Sequence, residues 1–245
     1  RIVATGSLDV TAQAGPAVAV TNAASLVFAA RNLASQNSPS NGVLLDSIAA
    51  GSFVVSGSTT VSTSAAVAVS VNAVSNFAAT FTGAFSATTS SGGVSLTASS
   101  ACAVKFLALD TVITGATGFL ATQACDLTVA GRSSGSLISA TGSPAVSISS
   151  TKLLGFSVPT LQSGSSTSSG VSLVNVAGSG SFAATGVVTV TTPAAHAIVF
   201  SSVAQSIVIG RLAVTGVPSG SVGLFVSTAR DVQLGDTVFS SALDK

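Results

Sequence analysis

Apolar residues along this chain recur in pairs, each pair split by one small or polar residue, and the pairs return at a nearly fixed spacing. The first set reads Val18/Val20, Val43/Leu45, Val67/Val69, Val94/Leu96, Phe119/Ala121, Val146/Ile148, Val171/Leu173, Ile198/Phe200 and Leu224/Val226, with successive anchors 24 to 27 residues apart. Alternation with a period of two is the signature of a half-buried strand. A second pair follows in each unit: Leu26/Phe28, Phe53/Val55, Phe77/Ala79, Val104/Phe106, Leu127/Val129, Leu154/Phe156, Phe182/Ala184, Ile207/Ile209 and Val232/Leu234. A looser third position falls at Val61, Phe85, Val112, Leu137, Val158, Val190, Val214 and Val238. Clusters such as "SGSTT", "TTSSGG" and "TGVPSG" between them carry turn chemistry.

Self-similarity at this period means a solenoid, a propeller or an array. The unit is too short for a four-stranded propeller blade of about 40 residues, and it lacks the Asn-and-Leu consensus of leucine-rich repeats. Three short strands per unit fit one coil of a parallel β-helix. The pattern therefore predicts an all-β fold, a single-stranded parallel β-helix (β-solenoid) of about nine coils with three strands each. It forms one domain over residues 1–245. At a strand spacing near 4.8 Å, nine coils make a rod roughly 40–45 Å long. Inward positions need a uniform ladder of Val, Leu, Ile, Ala and Phe, while Gly and Asn are expected to supply positive φ at the corners. The chain starts at Arg1 in mid-pattern, which predicts a segment of a longer rod with end-to-end contacts to further coils or identical subunits.

Composition sharpens this picture. Hydrophobic residues make up 47% and charged residues 6%, with no Glu, Met, Trp or Tyr and a formal net charge of +1. Eight scattered cations do not build the basic face a nucleic acid requires, so no nucleic-acid partner is expected. Polar residues interrupt the apolar ones too often for a membrane-spanning helix, and a transmembrane barrel would need aromatic girdles. No membrane-spanning segment is expected.

The phrases "SNGVLLDSIAAGSFVVSG", "GGVSLTASSACAVKF", "SPAVSISSTKLLGFSV" and "SGVSLVNVAGSGSFAATG" resemble the repeat regions of large bacterial surface and secreted proteins. These are the right-handed parallel β-helices of autotransporter passengers and filamentous-haemagglutinin-like adhesins. The resemblance covers essentially the whole chain. It implies a secreted or cell-surface location and a stalk or adhesive surface, with no catalytic site in the repeat and a cell surface or glycan as partner. A subunit of a head-to-tail extracellular filament is the alternative, followed by an ice-binding solenoid and a polysaccharide-active β-helix enzyme.

Candidate chemistry is sparse, and no catalytic residue, cofactor or metal set is assigned. Cys102 and Cys125 each lie two positions before the first residue of a second pair, hence in one column of adjacent coils. They form either an inter-coil disulfide or a pair of buried thiols. Neighbouring parallel strands do not aim their Cβ atoms ideally for bridging, which favours free thiols. His196 is expected at a corner without a catalytic partner. "GRSSG", Gly131 to Gly135, matches a nucleophile elbow in form, but no helix follows it and it reads as a turn. Asp9, Asp46, Asp110, Asp126, Asp231, Asp236 and Asp244 fall on separate coils, with Asp126 and Asp231 expected in one column about four coils apart. Glycoside hydrolysis generally uses a close carboxylate pair, which this spread does not supply.

Overall fold

A computed structural model describes residues 1–62, 64–89, 91–131 and 135–240. They form parallel strands with no helix among them. The strands stack into a β-solenoid of about nine turns. Strands such as Val43–Ile48, Gly51–Val55 and Thr59–Ser62 make the three faces of one coil, and each pairs in parallel with its equivalents in the coils before and after.

The first face follows the repeat closely. Val18, Val43, Val69, Val94, Phe119, Val146, Val171, Ile198 and Leu224 form one continuous inward column, with Val20, Leu45, Val71, Leu96 and their successors beside it. The third coil is two residues later than the sequence pattern: Val69/Val71 occupy the columns and Val67 belongs to the preceding turn. On the second face Phe28 pairs with Phe53 and Phe53 with Ala79, so Leu26 and Phe77 stand one inward position before the main column. A register shift between Leu127 and Thr128 places Leu153 in the core and turns Leu154 outward, 41% exposed.

The third face departs most. Val112 is 43% exposed, while its neighbours Thr111 and Ile113 are buried. Ile138 rather than Leu137 fills the core, and Val158 pairs with Ala184 on the second face, leaving Leu161 as the third-face residue. Adjacent apolar residues satisfy a period of two in either phase, so only the closure of the coil chooses between them. The three-strand description also gives way toward the C-terminal end, where Ile198–Thr215 and Leu224–Ser240 run as unbroken strands around the corners.

Gly51, Gly142, Gly178, Asn37 and Asn76 have the positive φ expected of Gly and Asn, but the corner that closes the first face departs from that expectation. One left-handed residue per coil closes the first face, and it is Asn only at Asn22 and Asn175. Elsewhere it is Ser47, Ala73, Ala98, Gln123, Ser150, Ser202 or Thr228, with φ between 47° and 60°. Non-glycine residues enter this region at a cost, so the stacked coils on either side must hold them there. Glycines matter at the corner between the second and third faces for closeness rather than for φ. A Cβ at Gly83 would lie 2.1 Å from the Gly57 carbonyl oxygen.

The interior is apolar almost throughout, and phenylalanine rings run through it in sequence. Phe28 stacks on Phe53 and Phe81 on Phe106, each with centroids 4.8 Å apart; Phe119, Phe156, Phe182 and Phe200 continue the series. Among the described residues Thr59, Thr111 and Gln205 are buried exceptions whose side chains make no hydrogen bond, and Gln205, 1% exposed, has both amide atoms in that state. A buried polar group without a partner costs about 1–3 kcal/mol. Gln205→Leu is therefore expected to stabilise the protein by about that amount, read as a higher urea midpoint at unchanged slope. A loss of stability would mean that the amide is satisfied after all.

Candidate functional surface

Because inward side chains are committed to the core, any recognition chemistry must sit on the outward columns, at the corners or at the ends. On the first face the outward residues are mostly small and polar. Asn72 donates to Asp46 at 2.6 Å, and Thr97 donates to the Asn72 carbonyl oxygen at 2.8 Å. Farther along, Ser149 donates to Thr122 at 3.2 Å. Such rungs spend their hydrogen-bonding capacity on one another, leaving a solvated but nearly uncharged face.

Threonines do not fall into regular double ranks on the third face. Thr189 and Thr191 stand side by side on one rung, but their neighbours are Gln162 and Gly164 before and Ala213 and Thr215 after. The gap over Gly164 leaves a polar notch of about 300 Å³ lined by Ser139, Thr141, Gln162, Thr189 and Thr191.

The described carboxylates are dispersed, and their side-chain hydrogen bonds go to a cation, an amide, a hydroxyl or a backbone N–H. Arg31 forms a two-pronged contact with Asp9, and Asn32 donates to the same carboxylate at 2.9 Å. The Arg31 hydrogen bond holds the Asp9 carboxyl below its ordinary range. Both partners are solvent-exposed, so this pair adds little to stability. Lys152 pairs with Asp126 at 2.7 Å, Asp110 accepts from the Leu137 N–H at 3.2 Å, and Asp231 accepts from Gln233 at 3.0 Å. Asp236 stands opposite Arg211 in the ladder.

Asp126 and Asp231 do not share a column. Asp231 pairs with Ser206 and Ser206 with Ser181, a line that descends beside Phe182, Phe156 and Val129 to Thr128. Phe156 rather than Leu154 pairs with Phe182, so the columns of the upper coils land two residues later along the strand Asp126–Ala130 than the repeat suggests. Among the described residues no three His, Cys, Asp or Glu side chains gather into a metal-binding group.

His196 occupies a corner just before the strand Ile198–Thr215, as its sequence position suggests. Its Nδ1 accepts the Val222 N–H at 3.0 Å, and its ring stacks on Phe225 with centroids 5.0 Å apart. The imidazole thereby ties the last described coil to the one beneath it. Within "GRSSG", Arg132 to Ser134 lie outside the described residues, as does Asp244.

Cys102 and Cys125 are joined by a disulfide, against the preference for free thiols. Their Cα atoms are 4.7 Å apart, inside the range that a disulfide bridges. The objection from strand geometry fails because neither cysteine lies within a strand. Each sits one residue ahead of one, before Ala103–Phe106 and Asp126–Ala130, where corner backbone re-aims the Cβ. Close by, Gly51, Ala78, Ala101, Cys102 and Ala103 floor a shallow groove of about 580 Å³, with Asn76, Asp126 and Lys152 around it. The sequence placed the two cysteines correctly, but gave no sign of the groove, which depends on how small residues align across coils.

The end coil of the described residues has a different character. Val226, Leu234 and Phe239 continue inward columns yet are 44%, 37% and 53% exposed, because no coil among the described residues covers them. These features define the chain as a parallel β-solenoid. Comparisons with protein-family models, curated proteins and solved structures give no match.

Proposed function

We propose that this chain is a segment of an extracellular structural rod, a β-helical stalk or adhesin-like surface element. The reading rests chiefly on one observation: an unbroken hydrogen-bonded stack whose outward columns are mostly small and polar and nearly uncharged. Such an object transmits force along its axis and stays soluble without presenting a reactive cluster. The dispersal of the carboxylates supports a non-catalytic role, since glycosidic cleavage generally relies on two placed together. A disulfide between coils is in keeping with an oxidising, secreted setting. The resemblance to autotransporter passengers and filamentous-haemagglutinin-like adhesins points the same way.

The second reading is a filament subunit, and the apolar end favours it. Among the described residues the strand Leu224–Ser240 has uncovered inward side chains and one unpaired edge, a template for a further coil of the same chain or of a second copy. Electron microscopy of the purified chain at several concentrations separates the two. Rods that lengthen with concentration would establish polymerisation through the ends and replace the stalk by a fibre subunit. Isolated particles roughly 40–45 Å long, the length of nine strand spacings, are the outcome for a spacer. Compact particles of other proportions would sink both readings.

A further inference from the structure

At the corner between the first and second faces, one backbone hydrogen bond normally ties each coil to the next. The residue two positions after the left-handed one donates its N–H to the carbonyl of the coil below. Ala49 donates to Ala23 at 3.0 Å, Ser75 to Ile48 at 2.9 Å and Ser100 to Val74 at 3.0 Å. The series resumes with Ala177 donating to Thr151 at 3.0 Å. Between these, the same rule calls for Cys125 to donate to Ser99 and Lys152 to Ala124. Neither bond is made among the described residues.

Hydroxyl side chains flank the interruption. The inward corner position holds Ala23, Ile48 or Val74 in the lower coils but a hydroxyl at Ser99 and Thr151. Ser99 Oγ accepts the Val74 N–H at 3.2 Å and Thr151 Oγ1 accepts the Ala124 N–H at 3.3 Å. These hydroxyl contacts stand beside the two missing backbone rungs. The Cys102–Cys125 disulfide crosses the same stretch of corner, and Cys102 lines the groove while Cys125 does not.

We propose that the Cys102–Cys125 disulfide is an exchangeable lock on this interrupted corner, opened when a small thiol enters the groove and attacks Cys102. The incoming thiolate forms a bond to Cys102 Sγ as the Cys102–Cys125 bond breaks. Cys125 leaves as a thiolate and takes a proton from water. With a dithiol reagent, its second thiolate then attacks the mixed disulfide and releases Cys102. The reagent ends as a cyclic disulfide, and the cystine has gained two electrons. The corner then has neither the covalent bridge nor the two backbone bonds, while the strands on the adjoining faces keep their ladders. Opening is local, and the rod gains a hinge rather than unfolding.

The test uses the whole native chain in two measurements. Dithiothreitol followed by alkylation should label both cysteines under conditions where the protein stays folded. Amide hydrogen exchange should then accelerate roughly tenfold or more at the corner segments around residues 99–102, 123–125 and 150–152. Ala103–Phe106 and Asp126–Ala130 should keep their protection. Separately, glutathione at limiting reduction should be trapped as a mixed disulfide on Cys102. Cysteines that become labelled only with global unfolding would overturn the proposal, as would labelling that leaves the corner's exchange unchanged. An adduct found on Cys125 instead would overturn the groove as the route of attack.

Discussion

Phe81→Ala is expected to cost about 3–5 kcal/mol. Phe81 is 1% exposed and touches three other rings: Phe106 at 4.8 Å, and Phe53 and Phe85 at 5.6 Å each. A cavity there cannot close easily, because the backbone around it is fixed on all three faces by hydrogen bonds to the coils above and below. Removing the ring also removes aromatic pair contacts, each worth about 0.5–1.5 kcal/mol beyond burial. Chemical denaturation measures the loss. Phe81→Leu, which keeps most of the apolar volume, should recover much of it. A cost below about 1 kcal/mol for the alanine variant would show that the ring is not packed as described.

Gly83→Ala should destabilise by at least the 1–3 kcal/mol typical of an over-packed core, although it adds one methyl group. The added Cβ would meet Gly57 at its carbonyl oxygen (2.1 Å), carbonyl carbon (2.4 Å) and Cα (2.8 Å). All three are backbone atoms, so relief requires the coils to separate, and separation breaks the ladder bonds on both sides. Gly15→Ala is the control, since nothing lies within 4 Å of its added Cβ. It should be near neutral, or slightly stabilising through the unfolded state. Equal effects at the two glycines, measured by denaturant midpoint, would contradict the close coil contact at Gly83.

The contrast between those glycines shows what the sequence could and could not reveal. Stacking imposes the same inward requirement on every coil, so the column from Val18 to Leu224 stands out as a repeated phrase. Even there the third coil slipped by two, because Val67, Val69 and Val71 offer the same alternation twice. On the third face Val112 and Ile113 are adjacent and equally apolar, and only coil closure decides which is buried. The bulge between Leu127 and Thr128 has no composition signal of its own, yet it turns Leu154 to solvent, and the pairing of Phe156 rather than Leu154 with Phe182 separates the Asp126 and Asp231 columns.

Corners were legible as turns but not by mechanism. Ser47, Ala73 and Ala98 carry no mark of left-handed backbone, since their conformation is imposed by the coils they join. Gly83 looks like a flexible residue and is instead one without room for a side chain. The cysteines were visible as a shared column. Their bonding depended on a detail hidden from periodicity, namely that both sit just outside the strands, next to a corner whose backbone rungs are interrupted.

The central claim is that successive repeats are successive coils of one stack, and distance measurements between spin labels test it most directly. Ala19, Leu44, Ser70, Ser95, Leu120, Ser147 and Ser172 form one outward column. Both native cysteines are in the disulfide, so introduced ones can be labelled alone. With cysteines at Ala19 and Ser95, at Ala19 and Ser147, and at Ala19 and Ser172, backbone separations should be about 14, 24 and 29 Å. The increments follow three, five and six strand spacings in a straight line. Separations that fail to grow linearly with the number of repeats would contradict the solenoid.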